Sequence, residues 1–495
     1  MLRHEGFSCL TEIVQSGRVS RPRLGMGRVL LISVLLVVPC FWQSRIQAGD
    51  LSSHIYNAYL ANLIAQGKVS GLWIADQSNN ILFDLELEWL LPRVGAAAAQ
   101  RIAVSIAVLI FAWGAIAFIL SIGGRSWLFT VASVSLLAYG FVYHMGFFNF
   151  YLSLGICLFY LAGFWQGSWI LRWTLTPLLV VAWVAHPFPV AWAAGIAIYI
   201  FLAEHVPTTR RLWLLGAGLA TIAAVATILL VHYDCTWSWL QIFLVTGANE
   251  VFLYGARYGL VLAGLLLVWL NLFRRMIKQQ HWSPLLNSIP FQIWVLSAAG
   301  VLLIPKVVDF HRYALPFYFV SDRLSLGAGI VLCSLLATVP MNGYECVGLG
   351  LATALFFGLL CSDGHALNLV EDSIDHAVST LPVQARVIEL FPHPKNRVDP
   401  LRHAIDRACI GHCFSYANYE PSTQQFRIRA QPGNSVVLSE YADAYAAEEG
   451  NYVVKARDLP LFGVYWCSAN ETEVCVTSLR EGDVVGKIAP TQVNR

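Results

Sequence analysis

Hydrophobic positions along this chain gather into long runs separated by short polar stretches, without the regular alternation of a soluble fold. Runs long enough to cross a bilayer, about 17 to 25 residues with their flanks, fall near 28–47, 101–122, 127–144, 146–165, 173–186, 188–204, 212–232, 257–273, 288–305, 325–340 and 346–361. The pattern predicts about 11 transmembrane helices. Two pairs of runs are parted only by hinges, Tyr143-His144-Met145-Gly146 and His186-Pro187-Phe188-Pro189. Pro187 and Pro189 cannot continue a helical hydrogen-bond ladder, so the second hinge is read as a tight turn.

Basic residues in the short loops set the orientation. The arginines before residue 28, Arg125, Arg172, Arg210, Arg211, Arg274, Arg275 and Lys278 share one side in an eleven-span arrangement. By the positive-inside rule that side is the cytoplasm. Residues 1–27 are then a cytoplasmic segment and 28–361 a multi-span domain. The first apolar run is read as an uncleaved span, because only Ile46-Gln47-Ala48 offers a weak cleavage pattern after it. Asp50, His144, His186, Asp234, Lys306, Asp309, His311 and Arg312 reach the outer side, with everything from 362 to 495.

Two polar regions carry structure of their own. In the first outer loop, 50–100, Leu51, Ile55, Tyr59 and Leu63 recur every four residues, with Ser52, Ser53, Asn57, Asn62 and Gln66 on other faces. This predicts an amphipathic helix over 51–66 lying at the membrane interface. A second stretch, Asn80 to Leu91, sets Asp84, Glu86 and Glu88 among leucines and fits a helix or a short strand. In the tail, the end of 381–390 together with 426–429, 435–438, 451–454, 462–466 and 474–476 read as strands, and 441–449 as a helix. The fold class is therefore a polytopic all-α membrane domain followed by a small extracytoplasmic α/β or α+β domain.

Composition agrees with this division. The 495 residues are 57% hydrophobic and 13% charged, where soluble proteins carry about a quarter charged. Nearly half of the charged residues lie in 362–495. A net charge of +2 without a basic block gives no footing for nucleic acid. Seventeen tryptophans suit aromatic belts at two interfaces. Of eleven cysteines, those in the tail pair by spacing, Cys409 with Cys413 and Cys467 with Cys475. Neither spacing is that of a zinc or redox CxxC, which favours local disulfides in an oxidising compartment.

The candidate chemistry lies at the outer mouths of the spans. Asp50 opens the 51–66 helix, where an N-cap worth about 1 kcal/mol is the simple explanation. The functional alternative is a general base at the membrane surface, with His54 one turn along tuning it or binding a phosphate. Lys306, Asp309, His311 and Arg312 crowd seven residues, either snorkelling to the interface or forming an anion site. Asp322 and Arg323 could pair with each other, or Arg323 could join that anion site. His144 and His186 are caps, belt residues or further members of the same outer site, while Asp234 and Glu250 are potential second carboxylates. No phosphate loop, GxSxG elbow, HExxH helix or dinucleotide turn occurs.

The layout over 28–361 resembles the GT-C superfamily of membrane glycosyltransferases. The shared features are a first span with its N-terminus inside, an acid immediately beyond it at Asp50, a long first outer loop with a helix, about ten further spans, and an external C-terminal domain. The resemblance implies a polyprenyl-phosphate sugar as donor and membrane lipid as its surroundings. It implies Asp50 as catalytic base and, by loop position, Lys306, Arg312 and Arg323 on the donor phosphate. Asp50 is followed by Leu-Ser-Ser-His and not by a second acid, so a divalent cation is left open. A bacterial inner membrane is the expected location. The other function class is a transporter or flippase, which should carry ionisable groups near the bilayer midplane and often inverted repeats. Here the charges gather at the outer mouths and no repeat is evident. A membrane-anchored assembly or sensor protein would need fewer spans.

Overall fold

A computed structural model describes residues 25–165, 167–391, 397–467 and 473–487. The expected cytoplasmic segment 1–27 lies almost wholly outside them. Among the described residues the chain is mostly helical, with seven helices long and apolar enough to cross a membrane: Ala96–Ile122, Trp127–His144, Phe148–Trp165, Pro187–His205, Thr208–His232, Tyr258–Gln280 and Gly343–Ser379. Shorter apolar helices occupy Met26–Cys40, Trp169–Ala185 and Ile289–Leu303. Val320–Leu336 is enclosed by its neighbours over nearly its whole length. Both hinges break the helices they were expected to break. Gly146 turns at φ +82°, and His186 is extended between two helices.

The last apolar helix does not end at residue 361. Gly343–Ser379 is 37 residues long, which at the α-helical rise spans about 55 Å, well beyond the ~30 Å of a hydrocarbon core. Its far end carries Asn368, Glu371, Asp372 and Asp375, and these grip the chain just after the first apolar helix. Arg45 pairs with Asp375 and, at 2.6 Å, with Asp372. Ser44 Oγ donates to Asn368 Oδ1 at 2.7 Å, and Gln47 Nε2 donates to Glu371 at 2.7 Å. Residues 361 and 362 thus lie inside one unbroken helix that ties the apolar bundle to the tail.

Helix Leu51–Ala65 is covered on both sides. Leu51, Ile55 and Ala58 belong to the core of the apolar bundle, whereas Tyr56, Leu60 and Ala61 pack with tail residues including Ile374, Val387, Ile405 and Val464. The polar positions that suggested a solvated face are satisfied by the tail. Arg407 donates to Ser52 Oγ at 2.8 Å, Tyr56 Oη accepts from Ser415 N at 3.0 Å, and Asn418 Nδ2 donates to Asn57 Oδ1 at 2.8 Å. Leu82–Val94 is helical throughout, which decides the stretch that also fitted a strand.

The eight strands among the described residues are short. In chain order they are β1 Leu72–Ile74, β2 Asp234–Thr236, β3 Val307–Asp309, β4 Arg386–Glu389, β5 Phe414–Ser415, β6 Ile428–Ala430, β7 Leu461–Trp466 and β8 Val474–Ser478. A four-stranded sheet in the tail has the order β5-β4-β7-β8, with β4 parallel to β5 and β7, and β8 antiparallel to β7. The strand expected at 426–429 forms at Ile428–Ala430 instead and leaves that sheet. As β6 it pairs antiparallel with β1 of the first outer loop, a second seam between loop and tail. The strand expected at 435–438 does not form, because Asn434 Oδ1 takes the N–H groups of both Val436 and Val437 at 2.9 Å. Cys409–Cys413 and Cys467–Cys475 are bonded.

This double burial makes Leu60 a test of the seam. Leu60→Ala removes a fully buried side chain and is expected to cost about 3 kcal/mol. Limited proteolysis of the protein in lipid nanodiscs should show faster cleavage within the tail. Val383→Ala, at a largely exposed position in the same tail, should cleave at the wild-type rate.

Candidate functional site

The backbone at Asp50 is held from below by the first hinge. Gly49 N donates to His144 O at 2.9 Å and Asp50 N to Met145 O at 3.1 Å. The hinge can approach so closely only because residue 146 is glycine: a Cβ there would lie 2.5 Å from Asp50 N, on a backbone already at positive φ. Asp50 therefore enters the helix in a fixed place. Its carboxylate, however, makes no capping hydrogen bond to the helix, so capping does not account for it.

The carboxylate turns toward the tail. His403 Nε2 lies 3.7 Å from Asp50 Oδ1, while Nδ1 of the same ring lies 3.9 Å from Asp406 Oδ2. The imidazole thus stands between two carboxyl groups, its ring against that of Tyr419 with centroids 5.3 Å apart. Solvent reaches 28% of the Asp50 side chain, yet protein surrounds it over the longer range that governs charge solvation. Burial accordingly pushes its carboxyl pKa up, opposed by the positive charges of His54, Arg402 and Arg323.

His54 points elsewhere than expected. Its Nδ1 is 2.6 Å from Asp84 Oδ1, and Asp84 Oδ2 accepts from Asn149 Nδ2 at 2.8 Å. Asn149 Oδ1 in turn accepts from Phe83 N at 2.8 Å, which fixes the amide and so the carboxylate. Burial works against the imidazolium, but the charge and hydrogen bond of Asp84 outweigh it and push His54 up to about 9. Burial likewise opposes ionisation of Asp84, and the His54 charge overcomes it and holds Asp84 below its ordinary value. The pair is ionised at neutral pH. Beside it Glu420 Oε1 accepts from Ser53 Oγ at 3.1 Å. Burial pushes Glu420 up to about 8 and Asp406 up to about 7.

The basic residues expected on a phosphate separate into different surroundings. Arg323 sits in the first turn of Val320–Leu336, within electrostatic reach of Asp50 and Tyr419. Its guanidinium lies 3.9 Å from the centroid of Phe147, 5.1 Å from that of Phe317 and 5.9 Å from that of Phe150. Among the described residues it makes no hydrogen bond, and its Nε is buried without a partner. Lys306 lies 3.9 Å from Asp322, a carboxylate that also meets Arg397 at 3.4 Å. Asp309 accepts from His311 N at 2.9 Å, His311 Nδ1 lies 3.9 Å from Asp234, and Arg312 is exposed on the loop beside them. That group shows no contact with Asp50. His186 Nδ1 accepts from Phe188 N at 3.1 Å and caps the helix that follows. His144 braces the chain entering Asp50, its Nδ1 3.0 Å from Gln47 O and 2.7 Å from Tyr254 Oη.

Glu250 is buried away from this group, accepting from Val142 N at 3.0 Å and Ser325 Oγ at 3.1 Å. Sequence reasoning did not select Asp84, His403, Arg402, Tyr419 or Glu420, and of these only Asp84 was visible as an acid in an apolar stretch. No three His, Cys, Asp or Glu side chains among the described residues are grouped to hold a metal ion. No protein-family model, curated protein or solved structure matches the chain.

Two outcomes test this geometry. Gly146→Ala should disturb Asp50 through the backbone, with a cost of at least about 1–2 kcal/mol from the left-handed conformation alone, read as a lowered unfolding temperature in nanodiscs. The His54–Asp84 pair should show in the pH dependence. With His54 raised from 6.5 to about 9, its stabilisation is full below 6.5 and is lost as pH rises toward 9. The contribution of Asp84, whose pKa is lowered from 3.8, is present above that value and lost at more acid pH. The stability gap between wild type and His54→Gln should therefore narrow from pH 6.5 to 9; an unchanged gap would show that the pair is not ionised.

Proposed function

We propose that the chain is an integral-membrane glycosyltransferase of GT-C type, moving a sugar from a polyprenyl-phosphate donor to an acceptor hydroxyl on the extracytoplasmic face. The observation that carries this reading is the uncapped Asp50 carboxylate, held by backbone at a fixed place with His403 behind it and two arginines within reach of its charge. A carboxylate of raised proton affinity is suited to general-base catalysis. The apolar helices support a membrane setting. In the proposed arrangement they make up eleven spans, with the N-terminus in the cytoplasm and the tail outside a bacterial inner membrane.

In this mechanism the acceptor oxygen attacks the anomeric carbon while Asp50 takes its proton. The bond from that carbon to the phosphate oxygen breaks, and the electron pair leaves with the lipid phosphate. Arg323 meets the growing negative charge. Its guanidinium is held by aromatic faces, so its N–H groups are left for a ligand. Lys306 and Arg312 serve at longer range, and His54 acts through Asp84 to hold positive charge near Asp50.

Asp50→Asn keeps the shape and removes the base, and since the side chain caps nothing the helix start should be undisturbed. In membranes supplied with labelled polyprenyl-phosphate hexoses, transfer should fall by about a thousandfold at unchanged protein level. Turnover at the wild-type rate in this variant would sink the assignment.

A further inference from the structure

Beyond the catalytic group, the tail and one membrane loop build a second surface beside it. Tyr441, Tyr445 and Glu448 are spaced by four and three residues, which puts them on one face of helix Tyr441–Glu448. Glu448 pairs with Arg402 and so draws that face against the turn that carries His403. The Tyr441 and Tyr445 rings stand 6.0 Å apart at 40°. Tyr318, from the loop that follows β3, lies within electrostatic reach of Tyr445 and Arg402, and Tyr441 within reach of Tyr318 and Arg402. Tyr318 and Tyr445 are 42% and 48% exposed, so their faces are open. None of the three phenol hydroxyls has a hydrogen-bond partner among the described residues. Arg402 continues the surface to the catalytic group, its charge reaching both Asp50 and Tyr419.

We propose that Tyr318, Tyr441, Tyr445 and Arg402 form a saccharide-binding platform that receives the acceptor as a glycan. Three features select this ligand class. Flat aromatic rings present faces on which the C–H side of a pyranose or furanose can lie. Unpartnered phenols donate and accept, as sugar hydroxyls require. Arg402 is paired with Glu448 and Asp309 lies within electrostatic reach of Tyr318, so the surface offers an anion no unopposed cation, and its polar rings suit a polyhydroxylated ligand better than a lipid tail. Arg402 then passes the reducing or non-reducing end of the glycan toward Asp50. Since the platform joins one membrane loop to the tail, it exists only when the two are docked.

The proposal rests on the transferase reading for its biological role, but binding can be measured without transfer. The full chain in nanodiscs is tested by saturation-transfer NMR against free glucose, mannose, galactose, arabinose, N-acetylglucosamine and their disaccharides. At least one should receive saturation at its ring C–H protons. Tyr445→Ala and, from the opposite element, Tyr318→Ala should each weaken that binding by about tenfold, while Tyr445→Trp keeps it. In a transfer assay Tyr445→Ala should raise the acceptor KM by the same factor and leave kcat and the donor KM near wild type. Silence of every sugar with the wild-type protein overturns the platform, as does sugar binding indifferent to both alanine variants. A signal from a serine- and threonine-rich peptide in place of any sugar overturns it too. Sugar binding with a fully active Asp50→Asn variant leaves the platform standing and removes the catalytic assignment; Asp50-dependent transfer without sugar binding does the reverse.

Discussion

The structure depends on one helix being buried twice. Leu51–Ala65 gives its apolar side to the membrane bundle and its mixed side to the tail, so neither body is complete without it. Ser52, Ser53, Tyr56 and Asn57 would each leave a polar group in a dry interface if the tail were removed, at a cost of about 1–3 kcal/mol for each group left unsatisfied. The seam is consequently specific: Arg407, Glu420, Ser415 and Asn418 meet those four positions in register. The same seam supplies one wall of the Asp50 group, because His403, Tyr419 and Glu420 all belong to the tail.

Crowding several acids into this seam raises an electrostatic difficulty, and differing environments resolve it. Asp84 has a hydrogen-bonded cation in His54, whose charge holds its pKa below the ordinary value. Burial pushes Glu420 up to about 8 and Asp406 up to about 7, so both bind a proton more readily than an ordinary carboxyl. The raised proton affinity of both lessens their repulsion of Asp50, and Glu420 also accepts from Ser53 across the seam. Burial and partner thus sort chemically similar carboxyls into different proton affinities.

Much of this plan was legible in the chain. Period-four hydrophobics located the helix after the first apolar run to within a residue, and the prolines at 187 and 189 located a hinge. Cysteine spacing located both disulfides. What could not be read was the partner of each polar face. The Ser52, Ser53 and Asn57 side of the helix has the same pattern whether it meets headgroups or a protein surface, and the residues that cover it lie more than 350 positions away. His54 was matched with Asp50 because they are one turn apart, but hydrogen-bond geometry gave it to Asp84, thirty residues along and positioned by Asn149. The 435–438 stretch reads as a strand by composition, and Asn434 diverts its N–H groups locally before a neighbour can use them.

Loop position also treated Lys306, Arg312 and Arg323 as equals, and their surroundings separate them. A cation is useful to an incoming anion in proportion to what it must give up. Lys306 would have to leave Asp322, and that carboxylate is also shared with Arg397. Arg312 is solvated and would have to shed water. Arg323 is half-buried, its guanidinium set against Phe147, Phe150 and Phe317 and its Nε enclosed without a partner, and among the described residues no carboxylate hydrogen-bonds to it. Aromatic faces offset part of the desolvation of a guanidinium but leave its N–H fork unused. Part of the cost of stripping water from the charge is thus met in folding, at the enclosed Nε, and Asp50 lies within reach of the same charge. An anion bound there would meet a half-buried guanidinium already oriented by aromatic faces, with the Asp50 carboxylate within electrostatic reach.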